Sequence, residues 1–227
     1  MLRIGTMELQ PYGWVDKKGN KHGSLYALHE EVGKRYGGSY SNEIIPFVRM
    51  FEMLQQGELD MISSQPHAAA MRAGDKLAVQ YLNRVVVATR RDSGVRNLDD
   101  LEGRTVLVHA GASYVELDDI NFQVHYMQNY RMMLEVLFLR AGIAAAVFSE
   151  PAYYYWMYML GLSPDDFGNV VILSEDKEQW AFVRKGLAPA VRDKLKRIVN
   201  AIRKEKVYER LLSDMRKKAE SNISRGR

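Results

Sequence analysis

Residues 56–72 read QGELDMISSQPHAAAMR, and this stretch organises the rest of the chain. A helical pattern stops at Gly57, and a short apolar strand over 59–62 follows it. The polar residues beyond that strand are Ser63, Ser64, Gln65 and His67, with Arg72 further on. Ligands of open α/β sheets lie just beyond the carboxyl ends of strands, so these side chains gather where a small polar ligand would bind. The alternative interpretation is an ordinary strand exit with a surface arginine.

Length and composition restrict the possible classes of protein. The 227 residues suit two lobes of roughly 100 residues each. Cysteine is absent, which excludes a disulfide framework, thiolate metal sites and cysteine nucleophiles. The net charge of +4 comes with 28 acidic residues, so the composition is not that of a nucleic-acid-binding protein. No apolar run is long enough to span a membrane. Met1 leads directly into a strand pattern without a signal peptide, so we expect a mature form if the protein is exported.

Hydrophobic periodicity predicts repeated alternation of strands and helices. Helices are expected over 25–36, from Pro46 onward, after the small-residue loop 110–114, and over 131–140, 151–160, 190–203 and 207–215. Strands are expected over 2–6, 44–45, 59–62, 77–82, 85–89, 105–109, 121–125, 143–148, 170–173 and 180–183. The charged tail 217–227 is predicted to be disordered.

Two extended crossings interrupt this alternation, near 82–90 and near 176–184. The pattern therefore predicts an α/β protein of two lobes. Residues 1–84 and 184–227 would form the first lobe, and residues 85–183 the second. In such a protein we expect the ligand cleft to lie between the lobes.

Several segments resemble the bacterial extracellular solute-binding proteins of family 3. The resemblance covers nearly the whole chain in the correct order. The segments that carry it are 2–6 with Pro11 and Tyr12, the turn 16–23, and residues 54–60, 98–106, 180–186 and 207–211. It implies a type II periplasmic-binding-protein fold and the role of an amino-acid-binding component of an ABC importer. It further implies a periplasmic or other extracytoplasmic location, a membrane permease as partner, a monomeric state, and neither cofactor nor metal.

The resemblance also assigns roles to individual residues. Arg72 falls at the position of the arginine that grips the ligand's carboxylate, and Glu150 falls at the acid that pairs with its α-ammonium. Donors and acceptors around the ligand would come from Ser64, Gln65, His67 and the loop with Ser113 and Tyr114. Phe47 falls where an aromatic ring packs on the ligand side chain. Independently of the resemblance, Glu8 lies in the first loop, where it would face a cationic ligand.

The chain also departs from the family pattern. Ala69, Ala70 and Met71 precede Arg72, so a hydroxyl is missing, and the acid is Glu150 instead of the usual aspartate. An amino acid or related small carboxylate is the leading ligand class. One alternative is a sensor or adaptor module with a degenerate cleft. Another is a dehydratase of the same fold that acts on prephenate-like acids through Glu150. The chain has no nucleophile elbow, metal-ligand spacing or phosphate-cradling loop, so it offers little for catalysis.

Overall fold

The computed structural model describes residues 1–110, 112 and 114–225, which form ten strands and seven α-helices. The strands are β1 (Leu2–Met7), β2 (Trp14–Val15), β3 (Lys21–His22), β4 (Tyr40–Ile45), β5 (Met61–Ser64), β6 (Gly74–Arg90), β7 (Thr105–His109), β8 (Gln123–Met127), β9 (Ile143–Ser149) and β10 (Phe167–Arg184). The helices are α1 (Ser24–Tyr36), α2 (Phe47–Gln55), α3 (Ala68–Ala73), α4 (Tyr130–Leu139), α5 (Glu150–Met159), α6 (Pro189–Lys204) and α7 (Val207–Arg225).

The chain divides into two compact units. Unit 1 comprises Met1–Leu82 and Glu178–Met215, and unit 2 comprises Asn83–Lys177 together with the end of the chain from Arg216. The chain passes from one unit to the other within β6 and returns within β10. The sequence predicts two separate extended pieces in each of these regions, whereas each is one continuous strand in the structure.

Unit 1 is a sheet in the order β4-β1-β5-β10 with helices packed on it. β1 is parallel to β4 and β5, and β10 runs antiparallel to β5. α1 packs on β1, β4 and α6, because its apolar residues recur at helical spacing and Leu25, Leu28 and Val32 are all buried. α1 ends at Gly37, whose left-handed backbone (φ 68°) is favourable for glycine.

A buried acid fixes the start of β5. Asp60 accepts hydrogen bonds from the Arg3 backbone N–H at 2.9 Å and from Arg3 Nη2 at 3.0 Å. Arg184 Nε, at the end of β10, donates to the same carboxylate at 2.8 Å. The Asp60 backbone N–H also donates to the Arg3 carbonyl at 2.8 Å, and the Asp60 carbonyl accepts from the Arg184 N–H at 3.2 Å. β5 itself covers 61–64 instead of the predicted 59–62. Ser63 and Ser64 therefore lie in the strand itself.

Unit 2 is a sheet in the order β6-β9-β7-β8 with α4 and α5 packed on it. β7 is parallel to β8 and β9, and β6 pairs antiparallel with β9. Its core includes Val85, Leu101, Val106 and Val147, all buried. β8 is an edge strand, and this explains why its side chains are mostly exposed.

Two predictions differ from the structure. The helix expected after the loop 110–114 is a single 3₁₀ turn, Val115–Leu117. The following sequence is rich in aspartate, asparagine and β-branched residues, which have low helix propensity. The tail expected to be disordered continues α7 as far as Arg225, because neither glycine nor proline interrupts the sequence between Val207 and that residue. Among the described residues, no helix is both long and apolar enough to cross a membrane.

Candidate functional site

Four of the predicted site residues lie together at the carboxyl end of β5. Ser64 is the last residue of the strand, Gln65 begins the turn, His67 caps α3, and Arg72 lies in the last turn of α3. The His67 backbone N–H donates to the Gln65 carbonyl at 2.9 Å, and its ring Nε2 lies 3.3 Å from Ser64 Oγ. The sequence does not predict the six-residue helix α3, which carries Arg72. Its run of alanines favours a helix, but the run is too short to show a clear period.

His67 also contacts two aromatic rings of α2. Its ring centroid lies 5.1 Å from that of Phe51, edge to face, and 6.2 Å from that of Phe47. Burial and the positive charge of Arg72 lower the pKa of His67, so its imidazole is neutral at pH 7. A neutral imidazole can donate one hydrogen bond and accept another, which suits a polar ligand. Phe47 is half-buried and adds an apolar surface beside it.

Arg72 is exposed, and no acidic group among the described residues lies within ion-pairing distance of it. A guanidinium group in this state retains its capacity for two parallel hydrogen bonds to a carboxylate. Within this cluster the other predicted residues are neutral, because His67 is uncharged and Ser64 and Gln65 carry no charge. Arg72 is therefore a positive charge without an acidic partner that follows hydroxyl, amide and imidazole groups along the chain.

Trp180 lies next to this cluster and was not among the predicted site residues. It pairs with Ser64 across β5 and β10. The ammonium group of Lys76 lies 4.5 Å from the centre of its ring, and its indole N–H donates to Glu178 at 2.9 Å. The sequence contains a signal for it, since a tryptophan in the strand that returns the chain to unit 1 can reach the polar end of a neighbouring strand.

A chain of buried polar groups lies behind the Ser63–Ser64 segment. His29, which is fully buried, contacts Thr6 Oγ1 through Nδ1 and Ser63 Oγ through Nε2, both at 2.7 Å. Ser63 in turn contacts the side-chain amide of Gln80, and Thr6 donates to Asn42 at 2.8 Å. Burial lowers the pKa of His29 to about 3. This chain joins β1, β4, β5, β6 and α1, so it fixes the strand end that carries Ser64.

In unit 2, Glu150 already has a basic partner. It lies in the first turn of α5, and Arg84 Nη1 of β6 donates to its carboxylate at 3.0 Å. Arg84 Nε donates to Glu175 at 2.8 Å. The sequence suggests Glu150 as the partner of a ligand ammonium group, but it gives no sign of Arg84, because that contact depends on the register of β6 against β9.

The other predicted site residues have different positions. Tyr114 is buried in the core of unit 2, at 7% exposure. Ser113 lies outside the described residues. Glu8 is exposed just after β1, and its backbone N–H donates to the Ile45 carbonyl at 2.8 Å.

The fold and this site define the class of the protein. Two α/β units joined by two extended crossings are typical of type II periplasmic binding proteins, and polar side chains at a strand end are typical of a small-molecule site. Residues 2–215 match the model of the family described as bacterial extracellular solute-binding proteins, family 3, and the chain belongs to that family. No curated protein matches the chain.

Solved structures share the fold at low sequence identity. The substrate-binding protein of an amino acid ABC transporter is 17% identical, with a TM-score of 0.73 over 94% of this chain and 98% of that one. The substrate-binding protein AbpA from Streptococcus pneumoniae, solved with bound L-arginine, is 14% identical, with a TM-score of 0.75 over 96% of this chain and 95% of that one. A histidine kinase sensor domain with similarity to periplasmic binding proteins is 18% identical, with a TM-score of 0.76 over 95% of both chains.

Proposed function

We propose that this chain is an extracytoplasmic solute-binding protein that captures a small carboxylate, an amino acid or a related acid, and delivers it to the permease of an ABC importer. The observation that carries the proposal is Arg72, an exposed guanidinium without an acidic partner among the described residues, beside Ser64 and His67. An arginine that has no internal partner and is surrounded by neutral hydrogen-bonding groups is suited to an anionic ligand.

The partner of Glu150 bears on the identity of the ligand. If the ligand is an amino acid, its ammonium group must share Glu150 with Arg84 or displace Arg84. Arg84 is 42% exposed and Glu150 26%, so solvent screens their pair and a ligand ammonium group can replace Arg84. An acid without an ammonium group would leave the pair intact. Arg72 can therefore recognise a carboxylate whether or not the ligand also carries an ammonium group.

A thermal-shift screen tests the proposal. The panel contains amino acids, their deaminated analogues and small dicarboxylates, because a ligand that binds only the native protein raises its melting temperature. Arg72→Ala should weaken the binding of any carboxylate found by at least about tenfold, since it removes charge-assisted hydrogen bonds. The matched control is Arg49→Ala, which removes an exposed arginine of α2 in the same unit. Equal affinities of the two variants would refute the assignment of Arg72.

Closure of the two lobes on the ligand is part of the proposed mechanism. A ligand shifts such an equilibrium only by its differential affinity for the two states. Small-angle scattering with and without a ligand from the screen measures the effect, and closure predicts a smaller radius of gyration with ligand. An unchanged radius at saturation would contradict closure.

A sensor or adaptor role is the second candidate function, and the Arg84–Glu150 pair is the observation that favours it. In a cleft that has lost amino-acid binding, we expect the acid to be paired with a cation of the protein itself. In that case the whole panel would leave the melting temperature unchanged. The family consists of binding proteins, and we propose binding without catalysis. Turnover of prephenate-like acids that is lost in Glu150→Gln would instead support the dehydratase.

A further inference from the structure

A cavity of about 340 Å³ lies at the other end of the unit 2 sheet. It is formed where β6 ends and where β7, β8 and β9 begin, and its lining includes Arg90, Ser93, Arg104, Thr105 and Gln123. Glu150 follows the opposite end of β9. Six residue steps along a strand correspond to about 20 Å, so the cavity is separate from the predicted ligand residues of unit 2.

The charges that line the cavity are unequal. Arg90 and Arg104 face a single acid, Asp92. Asp92 accepts from Arg90 Nε at 2.5 Å and from Nη2 at 3.3 Å, so one carboxylate occupies one side of one guanidinium. Arg104 is exposed, and among the described residues no acid lies within ion-pairing distance of it, although Asp100, outside the lining, is close enough to interact with its charge. The residues of the lining itself carry two positive charges and one negative charge.

Two groups of this lining make only weak hydrogen bonds within the protein. Arg90 Nη1 has no acceptor among the described residues, but it is closed off from solvent and does not itself open into the cavity. Arg90 would therefore meet an anion through Nη2, whose bond to Asp92 is long at 3.3 Å. Thr105 Oγ1 lies 3.5 Å from Gln123, which is too long for a strong hydrogen bond, so its hydroxyl can turn to another acceptor.

We propose that this cavity is a second binding site, specific for a small oxyanion, which Arg90 and Arg104 hold from two sides. The planar guanidinium groups match the geometry of carboxylate and phosphate oxygens. The volume of the cavity lies at the lower end of the range for small-molecule sites, so it suits an anion of a few heavy atoms up to the size of citrate. A phosphate and a carboxylate share this chemistry, and the experiment distinguishes them.

The test uses the full chain and two probes, inorganic phosphate and citrate, at constant ionic strength set with sodium chloride. Isothermal titration calorimetry should give saturable binding of at least one probe. A response to phosphate alone would identify the ligand class as phosphoryl, and a response to citrate alone would identify it as carboxylate. The absence of a saturable response to both would overturn the proposal.

Variants locate the binding site. Arg104→Gln should weaken binding about tenfold or more, because the side chain is exposed and its loss removes charge-assisted hydrogen bonds without disturbing the core. Arg131→Gln is the control, since it removes the same charge from an exposed position of α4 in the same unit. Equal effects of the two variants would show general electrostatics and refute the site. If Arg104→Gln fails to fold, Arg104→Lys keeps the charge and should still weaken binding by loss of the planar fork.

The proposal is independent of the proposed function of Arg72. In an Arg72→Ala background the phosphate or citrate response should persist, while the response to the carboxylates of the thermal-shift screen is lost. If Arg72→Ala also abolishes the phosphate or citrate response, those anions bind at the Arg72 site and the second site does not exist.

Discussion

His29 should make unit 1 sensitive to acid. Its ring is fully buried between Thr6 and Ser63, and burial lowers its pKa to about 3. In the unfolded chain the same ring titrates near pH 6.5. Between these two values the unfolded state binds a proton that the native state does not bind. Stability is therefore complete above pH 6.5 and falls as the pH falls toward 3.

The size of the effect follows from the two pKa values. Between pH 7.5 and pH 5.0, protonation of His29 in the unfolded state lowers the free energy of unfolding by about 2 kcal/mol. This figure depends on the unfolded pKa near 6.5 and hardly on the native value, provided that the native value lies below about 4. The glutamine side chain of His29→Gln does not titrate. The loss of the histidine's packing and hydrogen bonds should therefore lower the free energy of unfolding by the same amount at both pH values.

The assay is urea denaturation of wild type and His29→Gln at pH 7.5 and pH 5.0, followed by tryptophan fluorescence, which reports on Trp14 and Trp180 of unit 1 and on Trp156 of unit 2. The two other histidines with lowered pKa, His67 and His109, are present in both proteins, so their contributions cancel in the double difference. On acidification, the free energy of unfolding of wild type should fall by about 2 kcal/mol more than that of the variant. A double difference near zero would show that His29 is protonated in the native state or is not buried, and would refute the reasoning.

Three further changes have defined outcomes. Asp60→Asn should lower the free energy of unfolding by about 3 kcal/mol in urea denaturation, because it leaves two guanidinium groups without their buried acid. Asp75→Asn is the control, since it breaks an exposed pair and should lower the same free energy by less than about 1 kcal/mol. Equal losses in the two variants would contradict this reasoning. Arg84→Gln removes the basic partner of Glu150, so calorimetry should show amino acids binding up to about fivefold more tightly. The affinity for acids that lack an ammonium group should stay the same. A change in affinity for both classes of ligand would argue against Glu150 as the ammonium partner. Gly33→Ala should lower the melting temperature, because the new methyl group would overlap a tyrosine ring, and an unchanged melting temperature would refute that contact.

Much of the fold could be predicted because local pattern and tertiary packing agree. Helix α1 shows apolar residues at helical spacing, and Leu25, Leu28 and Val32 of that series are buried. The buried strands β7 and β9 were predicted from continuous apolar runs. The family resemblance was confirmed over residues 2–215. The bounds of β5 were predicted two residues too early. The partners of Asp60 at its start are 57 and 124 positions away, and no local pattern reports such contacts.

The candidate site was only partly predictable for the same reason. The cluster of Ser64, Gln65, His67 and Arg72 is contiguous in sequence, so a strand end followed by a turn was enough to predict it. The partner of Glu150 was not predictable, because Arg84 reaches it across paired strands. His29 did leave a signal, since it continues the buried stripe of Leu25 and Leu28 on α1, and a histidine on an apolar helix face indicates buried polar partners.

The discontinuity of unit 1 affects how the protein can fold during synthesis. Unit 2 also includes residues from Arg216 on, but all the strands of its sheet have been made once Lys177 has been made. β5 has to wait for its neighbour β10, and until Arg184 is made Asp60 has only Arg3 as a partner. Pulse-labelled hydrogen exchange on nascent chains should therefore show protection of β7 amides before β5 amides. The strand end beside Arg72 would therefore be fixed in place only after β10 has been made.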